Sequence, residues 1–113
     1  MSVSTTNPEK KINKEEFIHE IIEDFRLICL SREASLLGRK EVLTGKAKFG
    51  IFGDGKELAQ IAMSKFFNKG DFRSGYYRDQ TFMMAIGKLN VSEFFAGLYA
   101  HTNISKEPSS AGR

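Results

Sequence analysis

Two arginines and two tyrosines lie within six positions of one another, and they are the residues of this chain best suited to bind an anion. Arg73 and Arg78 carry guanidinium groups that can hold a phosphate through two parallel hydrogen bonds. Tyr76 and Tyr77 each add a ring that can pack and a hydroxyl that can donate. A helix predicted to begin near Arg78 would supply further amide donors. The same residues also fit the commoner arrangement, an ordinary salt-bridged corner.

The histidines and the single cysteine of the chain favour structural roles. His19 and His101, its only histidines, have no cysteine or acidic residues around them at the spacing of a metal site. Cys29 falls on the apolar stripe of a predicted helix, and such a position predicts a buried structural thiol rather than a nucleophile. We therefore expect no catalytic residue and no metal ligand among these three.

The triplet Gly53-Asp54-Gly55 resembles the start of the divalent-metal motif of thiamine diphosphate enzymes. In that motif an asparagine follows about two dozen residues later, and the corresponding positions 75–82 contain none. Asp54 and Glu57 have the spacing of a capping box, in which an acidic side chain accepts a hydrogen bond from the first turn of a helix. The sequence therefore predicts a helix start here and not a metal site.

Helical periodicity predicts a mainly α chain with about four helices and at most one short strand, for which residues 71–77 are the candidate. The first helix runs from Lys14 to near Leu43, behind a capping box of Asn13 and Glu16. Apolar residues recur on this helix at helical spacing: Phe17, Ile18, Ile21, Ile22, Phe25, Ile28 and Cys29.

Three shorter helices are predicted after a glycine-rich loop. They cover residues 55–67, 78–88 and 91–101, and the last begins behind a capping box of Asn90 and Glu93. The side chains predicted to be buried on the first and last of these helices are Leu58, Ile61, Ala62, Phe66, Phe94, Phe95 and Leu98. The chain is thus expected to be one helical unit with short connections.

Composition excludes several classes of protein. The 113 residues, with 41% hydrophobic side chains and a net charge of +3, fit one small globular domain. A single cysteine excludes a disulfide-stapled secreted scaffold, so a cytoplasmic location is expected. No apolar run approaches the roughly 18 residues of a membrane span, and no secretion signal is present, so we expect no membrane partner. The basic residues are scattered among acids, which disfavours nucleic acid as a partner.

Two stretches, GKAKFGIFGDGKELAQIAM (45–63) and DFRSGYYRDQTFMMAIGKLNVSEFFAGLYAHTN (71–103), resemble the N-terminal part of the α portion of thiamine-diphosphate-dependent 2-oxoacid dehydrogenases, the E1 components. Gly38-Arg39 resembles the turn that ends the long first helix of that family, and Gly55-Lys56-Glu57 resembles its next helix start. The resemblance covers roughly residues 14–113 and is closest to the branched-chain type, particularly bacterial forms with fused α and β portions. It implies that the parent protein has an α/β thiamine-diphosphate-binding fold.

The resemblance also implies roles for individual residues. Tyr77 and Arg78 match the family's Tyr-Arg pair, which contacts the cofactor, with the arginine holding its diphosphate. Tyr76 occupies the preceding position and is the third implied cofactor-binding residue. Residues 49–52 resemble the stretch that approaches the substrate side of the cofactor. The pyruvate enzymes have a histidine in that stretch and this chain has none, which disfavours pyruvate as the substrate.

The resemblance further implies that this chain is an N-terminal fragment of an E1 component, inactive alone. The family oxidatively decarboxylates a 2-oxoacid and transfers the acyl group to the lipoyl-bearing E2 component. Its metal motif and catalytic groups lie outside the part matched here, so thiamine diphosphate and Mg²⁺ would need the remainder of E1 as partner. The expected division of the chain is a flexible arm over 1–12, the helical E1-type segment over 13–103 and a loop or frayed tail over 104–113.

Two other functions are compatible with the sequence. A stand-alone helical interaction module would bind its partner through an apolar face on the last helix, formed by Phe94, Phe95, Leu98 and Tyr99. A nucleic-acid binder would use a scattered set of basic residues: Lys46, Lys48, Lys69, Arg73 and Arg78. The fragment and the module both predict an exposed apolar surface and self-association. The nucleic-acid binder instead predicts binding that falls steeply with added salt.

Overall fold

The computed structural model describes residues 13–106, and in this part of the chain four helices and no strand are present. The prediction of a mainly α chain with about four helices is therefore confirmed for these residues. The helices are α1 (Lys14–Leu43), α2 (Glu57–Ser64), α3 (Gln80–Ala85) and α4 (Val91–Leu98). The predicted arm over 1–12 and the tail residues 107–113 lie outside the described residues. Between residues 13 and 106, no helix is long and apolar enough to cross a membrane.

Helix α1 begins and ends where the sequence predicts. The Asn13 side chain accepts a hydrogen bond from the Glu16 amide at 2.8 Å, and the Glu16 carboxylate accepts from the Asn13 amide at 3.3 Å, which completes the predicted capping box. Thirty residues at 1.5 Å each give a helix about 45 Å long. Because the longest dimension of the described part is 50 Å, α1 spans nearly all of it.

The buried residues of α1 are small and lie in its C-terminal half: Ser31, Ala34, Ser35 and Gly38. A Cβ atom added to Gly38 would lie 2.5 Å from Cε1 of Phe52, so only glycine admits that ring. The prediction that Cys29 is a buried thiol is wrong, because its side chain is exposed. The apolar stripe predicts the helix correctly. The other three helices and the loops between them, called here the body of the protein, pack on a different side of α1.

The start of α2 differs from the prediction. Asp54 does not cap the helix, since its carboxylate instead accepts a hydrogen bond from Nη2 of Arg39 at 2.6 Å. Lys56 occupies the N-cap position without a side-chain hydrogen bond, and α2 begins at Glu57. A charge-assisted bond to an arginine is stronger than a bond to a neutral amide, and the arginine comes from α1, which local spacing does not reveal.

The shorter helices bury less than the sequence predicts. Ile61 is buried, but Leu58, Ala62 and Phe66 are exposed. On α4, Phe94, Phe95 and Leu98 are only half-buried, although the Asn90–Glu93 capping box is present as predicted. Helices α2 and α3 end at Ser64 and Ala85, before the predicted residues 67 and 88. Each short helix contacts the rest of the protein along one edge, and the other apolar side chains stay outside the core.

A buried polar network joins α1 to α3. The hydroxyls of Ser31 and Thr81 lie 2.6 Å apart, and Nε2 of Gln80 donates to the Ser35 hydroxyl at 2.7 Å. Oε1 of Gln80 accepts a hydrogen bond from the Gly53 amide at 3.3 Å. Ser31, Ser35 and Thr81 are fully buried, so these bonds replace solvent and fix the loop before α2 against both helices.

Candidate functional site

A cleft of about 910 Å³ opens between the loop over residues 49–52, the segment that precedes α3, and α4. Its apolar walls include Phe49, Phe52, Met83, Leu89, Phe94 and Leu98. The rings of Phe52 and Phe94 lie 6.1 Å apart at their centres. Tyr76 and Tyr77 line the same cleft. The structure therefore brings the residues over 49–52 and the two tyrosines into one cleft, although they belong to separate motifs in the sequence.

Tyr76 and Tyr77 form a stacked pair at the edge of the cleft. Their ring centres lie 4.1 Å apart, and the Tyr76 hydroxyl donates to the Tyr77 hydroxyl at 2.8 Å. Each residue is 58% exposed, which leaves ring and hydroxyl accessible to a ligand or to a partner that closes the cleft.

Arg73 is occupied by an ion pair. Both of its terminal nitrogens donate to Oδ2 of Asp79, Nη1 at 2.8 Å, and the Tyr76 amide donates to the same oxygen at 3.0 Å. The guanidinium also lies over the Phe82 ring, 5.3 Å from its centre. Of the two arginines singled out by the sequence, Arg73 thus forms the salt-bridged corner and holds the turn before α3.

Arg78 has the opposite environment. Its Nε is buried and has no hydrogen-bond partner among the described residues, and none of their carboxylates forms an ion pair with it. The guanidinium carbon lies 5.9 Å from the centre of the Tyr77 ring. Arg78 does not itself line the cleft but lies beside a tyrosine that does. A buried donor left without an acceptor is costly, so this group is suited to an anion.

Two glutamines hold the backbone around Arg78, and sequence analysis did not single them out. Nε2 of Gln60 donates to the Arg78 carbonyl at 2.8 Å, while its Oε1 accepts from the Phe82 amide at 3.0 Å. Gln80 binds the Gly53 amide, and a Cβ atom at Gly53 would lie 2.4 Å from the Arg78 carbonyl oxygen. The only sequence signal is a glutamine on each of two helices, which is too common to indicate this role.

Two ion pairs anchor the loop that precedes α2. Hydrogen bonding from Arg39 lowers the pKa of Asp54, and hydrogen bonding from Arg32 lowers the pKa of Glu57. The Glu57 carboxylate accepts from Nε of Arg32 at 2.6 Å and from the Gly55 amide at 2.9 Å. Both carboxylates are therefore ionised and paired with α1. Asp54, for which the sequence predicts no metal site, thus has a structural role, since it holds this loop against α1.

The remaining candidate residues lie away from the cleft. His19 is exposed on α1, and Nδ1 of His101 accepts from the Asn103 amide at 3.0 Å. Over residues 13–106, no group of three or more histidine, cysteine or acidic side chains is placed to hold a metal ion. Comparison with protein-family models, curated proteins and solved structures finds no match to this chain.

Proposed function

We propose that this chain supplies one wall of the thiamine diphosphate site in the E1 component of a 2-oxoacid dehydrogenase and is inactive alone. The observation that carries the proposal is Arg78, a cation with a buried donor that has no acceptor within the described residues. The cleft beside it combines an apolar wall with two accessible tyrosines. This combination suits a ligand with an anionic diphosphate at one end and an aromatic ring at the other.

The described residues fit part of such a ligand. Arg78 would hold the diphosphate, Tyr77 would pack beside it, and the Tyr76 hydroxyl would fix the orientation of the Tyr77 ring. Bound thiamine diphosphate supplies the electron sink through which a 2-oxoacid loses carbon dioxide. The apolar residues over 49–52 would exclude water from the substrate side, and they suit a branched aliphatic 2-oxoacid better than a charged one.

The proposal requires partners that complete the site. Tyr76 and Tyr77 are more than half exposed, so a cofactor held there is open to solvent until another surface covers it. Mg²⁺ ligands and the groups that act on the cofactor and substrate would come from the remainder of E1. The lipoyl-bearing E2 component would accept the acyl group, and the assembly would work in the cytoplasm.

The test is thermal unfolding with and without thiamine diphosphate and Mg²⁺, on this chain alone and mixed with the remainder of a family E1. At about 100 times its dissociation constant, the cofactor stabilises the complex by about 2.7 kcal/mol. We expect this shift, and decarboxylation of a branched 2-oxoacid, only in the mixture. Arg78→Ala abolishes both, whereas the matched variant Arg26→Ala, which removes an arginine from the exposed side of α1, changes neither. A missing cofactor response in both samples, or a response that Arg78→Ala leaves intact, contradicts the proposal.

The two other functions have less support. On α4, the Phe95 ring stacks on Tyr99 at 6.3 Å, and the Tyr99 hydroxyl donates to the Glu41 carboxylate. Part of the face expected of an interaction module is therefore engaged within the chain. For nucleic-acid binding, the ion pair between Arg73 and Asp79 removes one of the expected phosphate contacts.

A further inference from the structure

The N-terminal half of α1 carries a continuous apolar surface that the described part of the chain leaves exposed. The surface, called here the α1 face, consists of Phe17, Ile18, Ile21, Ile22 and Phe25, which are 45–64% exposed. Five large side chains about half exposed present about 500 Å² of apolar surface. A patch of this size is at the upper end for a monomer and marks an interaction site.

The parts of the sequence that flank the described residues are poor in large apolar side chains. Residues 1–12 contain only Met1, Val3 and Ile12 as larger apolar residues, and residues 107–113 contain only Ala111 and Pro108 as non-polar residues other than glycine. Covering about 500 Å² requires several large side chains. An occupant of this surface has to be rich in large apolar side chains, as the α1 face itself is.

We propose that the α1 face binds the α1 face of a second copy of this chain, with the two helices antiparallel and a two-fold axis passing at Ile21. Ile21 is the middle residue of the face, with Phe17 one turn before it and Phe25 one turn after it. The two-fold axis places Phe17 against Phe25 of the second copy and Ile21 against its own counterpart. Such a self-complementary patch is what an isologous dimer requires.

The charges beside the face favour this arrangement. Antiparallel pairing brings Glu15, in the first turn, close to Arg26 of the second copy, and it opposes the two helix dipoles. Arg26 is exposed, and its present partner is Glu23 on its own helix. On the other margin Glu20 and Asp24 would approach their counterparts, and Lys65, 2.8 Å from both carboxylates, offsets about half of their charge. A parallel pair would instead place the acidic first turns together.

The rest of the protein leaves room for the dimer. The body packs on the C-terminal half of α1 through Ser31, Ala34, Ser35 and Gly38, on a different side of the helix. In the antiparallel pair the two bodies therefore lie at opposite ends. Two faces bury about 1,000 Å² in total, the lower limit for a specific interface, so self-association in the micromolar range is expected.

The first test is sedimentation velocity of the full chain across a range of concentrations. We expect the mass to rise from 12.7 kDa towards twice that value as concentration increases through the micromolar range. Ile21→Glu places two carboxylates at the axis and weakens association at least 100-fold. The matched control is Leu30→Glu, because Leu30 is 48% exposed and lies about 180° around the same helix. That variant changes the dissociation constant less than threefold.

A second test checks that Ile21 lies at the two-fold axis, and a charge exchange between Glu15 and Arg26 then checks that the helices are antiparallel. In a Cys29→Ser background, Ile21→Cys forms an intermolecular disulfide under mild oxidation, while Leu30→Cys does not. The native thiols of Cys29 would lie about 24 Å apart in the antiparallel dimer and stay unlinked within it. Arg26→Glu weakens association several-fold, and the double variant Glu15→Arg with Arg26→Glu restores it.

The outcomes separate this proposal from the thiamine diphosphate proposal. A chain that stays monomeric at 100 μM, dimers that survive Ile21→Glu, or failure of the Ile21→Cys pair to cross-link overturns the dimer. No residue of α1 lines the cleft, so Ile21→Glu leaves the response to thiamine diphosphate unchanged. Arg78→Ala in turn leaves the dissociation constant of the dimer unchanged.

Discussion

The N-terminal half of α1, residues 14–28, and its C-terminal half, residues 29–43, differ in which side chains they bury. The N-terminal half leaves its large apolar side chains, such as Phe17 and Phe25, exposed. The C-terminal half is packed against the body through small residues, with Ser31 and Ser35 fully buried. Burial in this protein therefore follows the close approach of other elements and not the hydrophobicity of the side chain. Small residues permit that approach, and a polar network stabilises it.

The two halves differ because different residues pack against them. The small residues of the C-terminal half face Phe52, Gln80 and Thr81, which supply a ring and matched hydrogen-bond partners. Within residues 13–106, the N-terminal half meets little beyond Lys65, which binds Glu20 and Asp24 at one margin. One half is thus committed to the fold, and the other is available for association.

The largest effect is expected where a big side chain replaces a small one in the packed half. Ser35→Leu removes the acceptor of the Gln80 hydrogen bond and overfills a fully buried position, so it lowers the free energy of unfolding by about 3 kcal/mol. The milder Ser35→Ala costs about 1 kcal/mol. Urea unfolding followed by circular dichroism measures both.

The matching change in the N-terminal half is Ile22→Ser, at an exposed position. It is expected to alter the free energy of unfolding of the monomer by less than about 0.5 kcal/mol. If Ile22→Ser destabilised the monomer as much as Ser35→Leu, the two halves would contribute equally to the fold and the contrast between them would be wrong.

A smaller loss is expected from Gly38→Val. The added atoms meet the Phe52 ring, where a Cβ would already lie 2.5 Å from Cε1, and the better helix propensity of valine offsets only part of the strain. We expect a net loss of about 2 kcal/mol and, because Phe52 lines the cleft, a changed cleft shape. His19→Val in the exposed half serves as control and should leave the unfolding midpoint unchanged.

The smallest effect comes from the ion pair at the edge of the packed half. Glu57→Gln removes the charge that binds Arg32, and we expect a loss of about 1 kcal/mol at pH 7, since the Arg32 side chain is 45% exposed and solvent screens the pair.

The pH dependence of stability gives a sharper signature. Because pairing lowers the pKa of Glu57 in the folded state, its contribution is complete above the ordinary glutamate pKa of about 4.3 and is lost as pH falls through the lowered value. The native chain should therefore lose stability below pH 4.3 more steeply than Glu57→Gln does. Equal slopes for the native chain and Glu57→Gln would contradict the assignment.

Local signals in the sequence predicted much of this fold. The capping boxes at Asn13 and Asn90 and the length of α1 follow from interactions within one turn or one periodic pattern, and the structure confirms them. The pairing of Asp54 with Arg39 and the exposure of Cys29 could not be predicted, because each depends on where a distant element lies. A periodic stripe identifies a helix without saying which side is covered.

The candidate site shows the same limit. The sequence singled out Arg73 and Arg78 together, but only the structure shows that Asp79 occupies the first and that Nε of the second has no acceptor in the described region. The supporting roles of Gln60 and Gln80 rest on contacts across 18 to 27 positions, which no motif encodes. The cofactor roles of Tyr76, Tyr77 and Arg78 stay a prediction.

The stacked tyrosines also give the cleft its own optical reporter. The chain has no tryptophan and three tyrosines, two of which are the coupled pair Tyr76 and Tyr77. The third, Tyr99, donates its hydroxyl to Glu41 outside the cleft. Near-ultraviolet dichroism and tyrosine emission of the unlabelled protein therefore arise largely at the edge of the cleft. A ligand that enters there, or a partner that closes it, can be followed in solution by the light these two rings absorb.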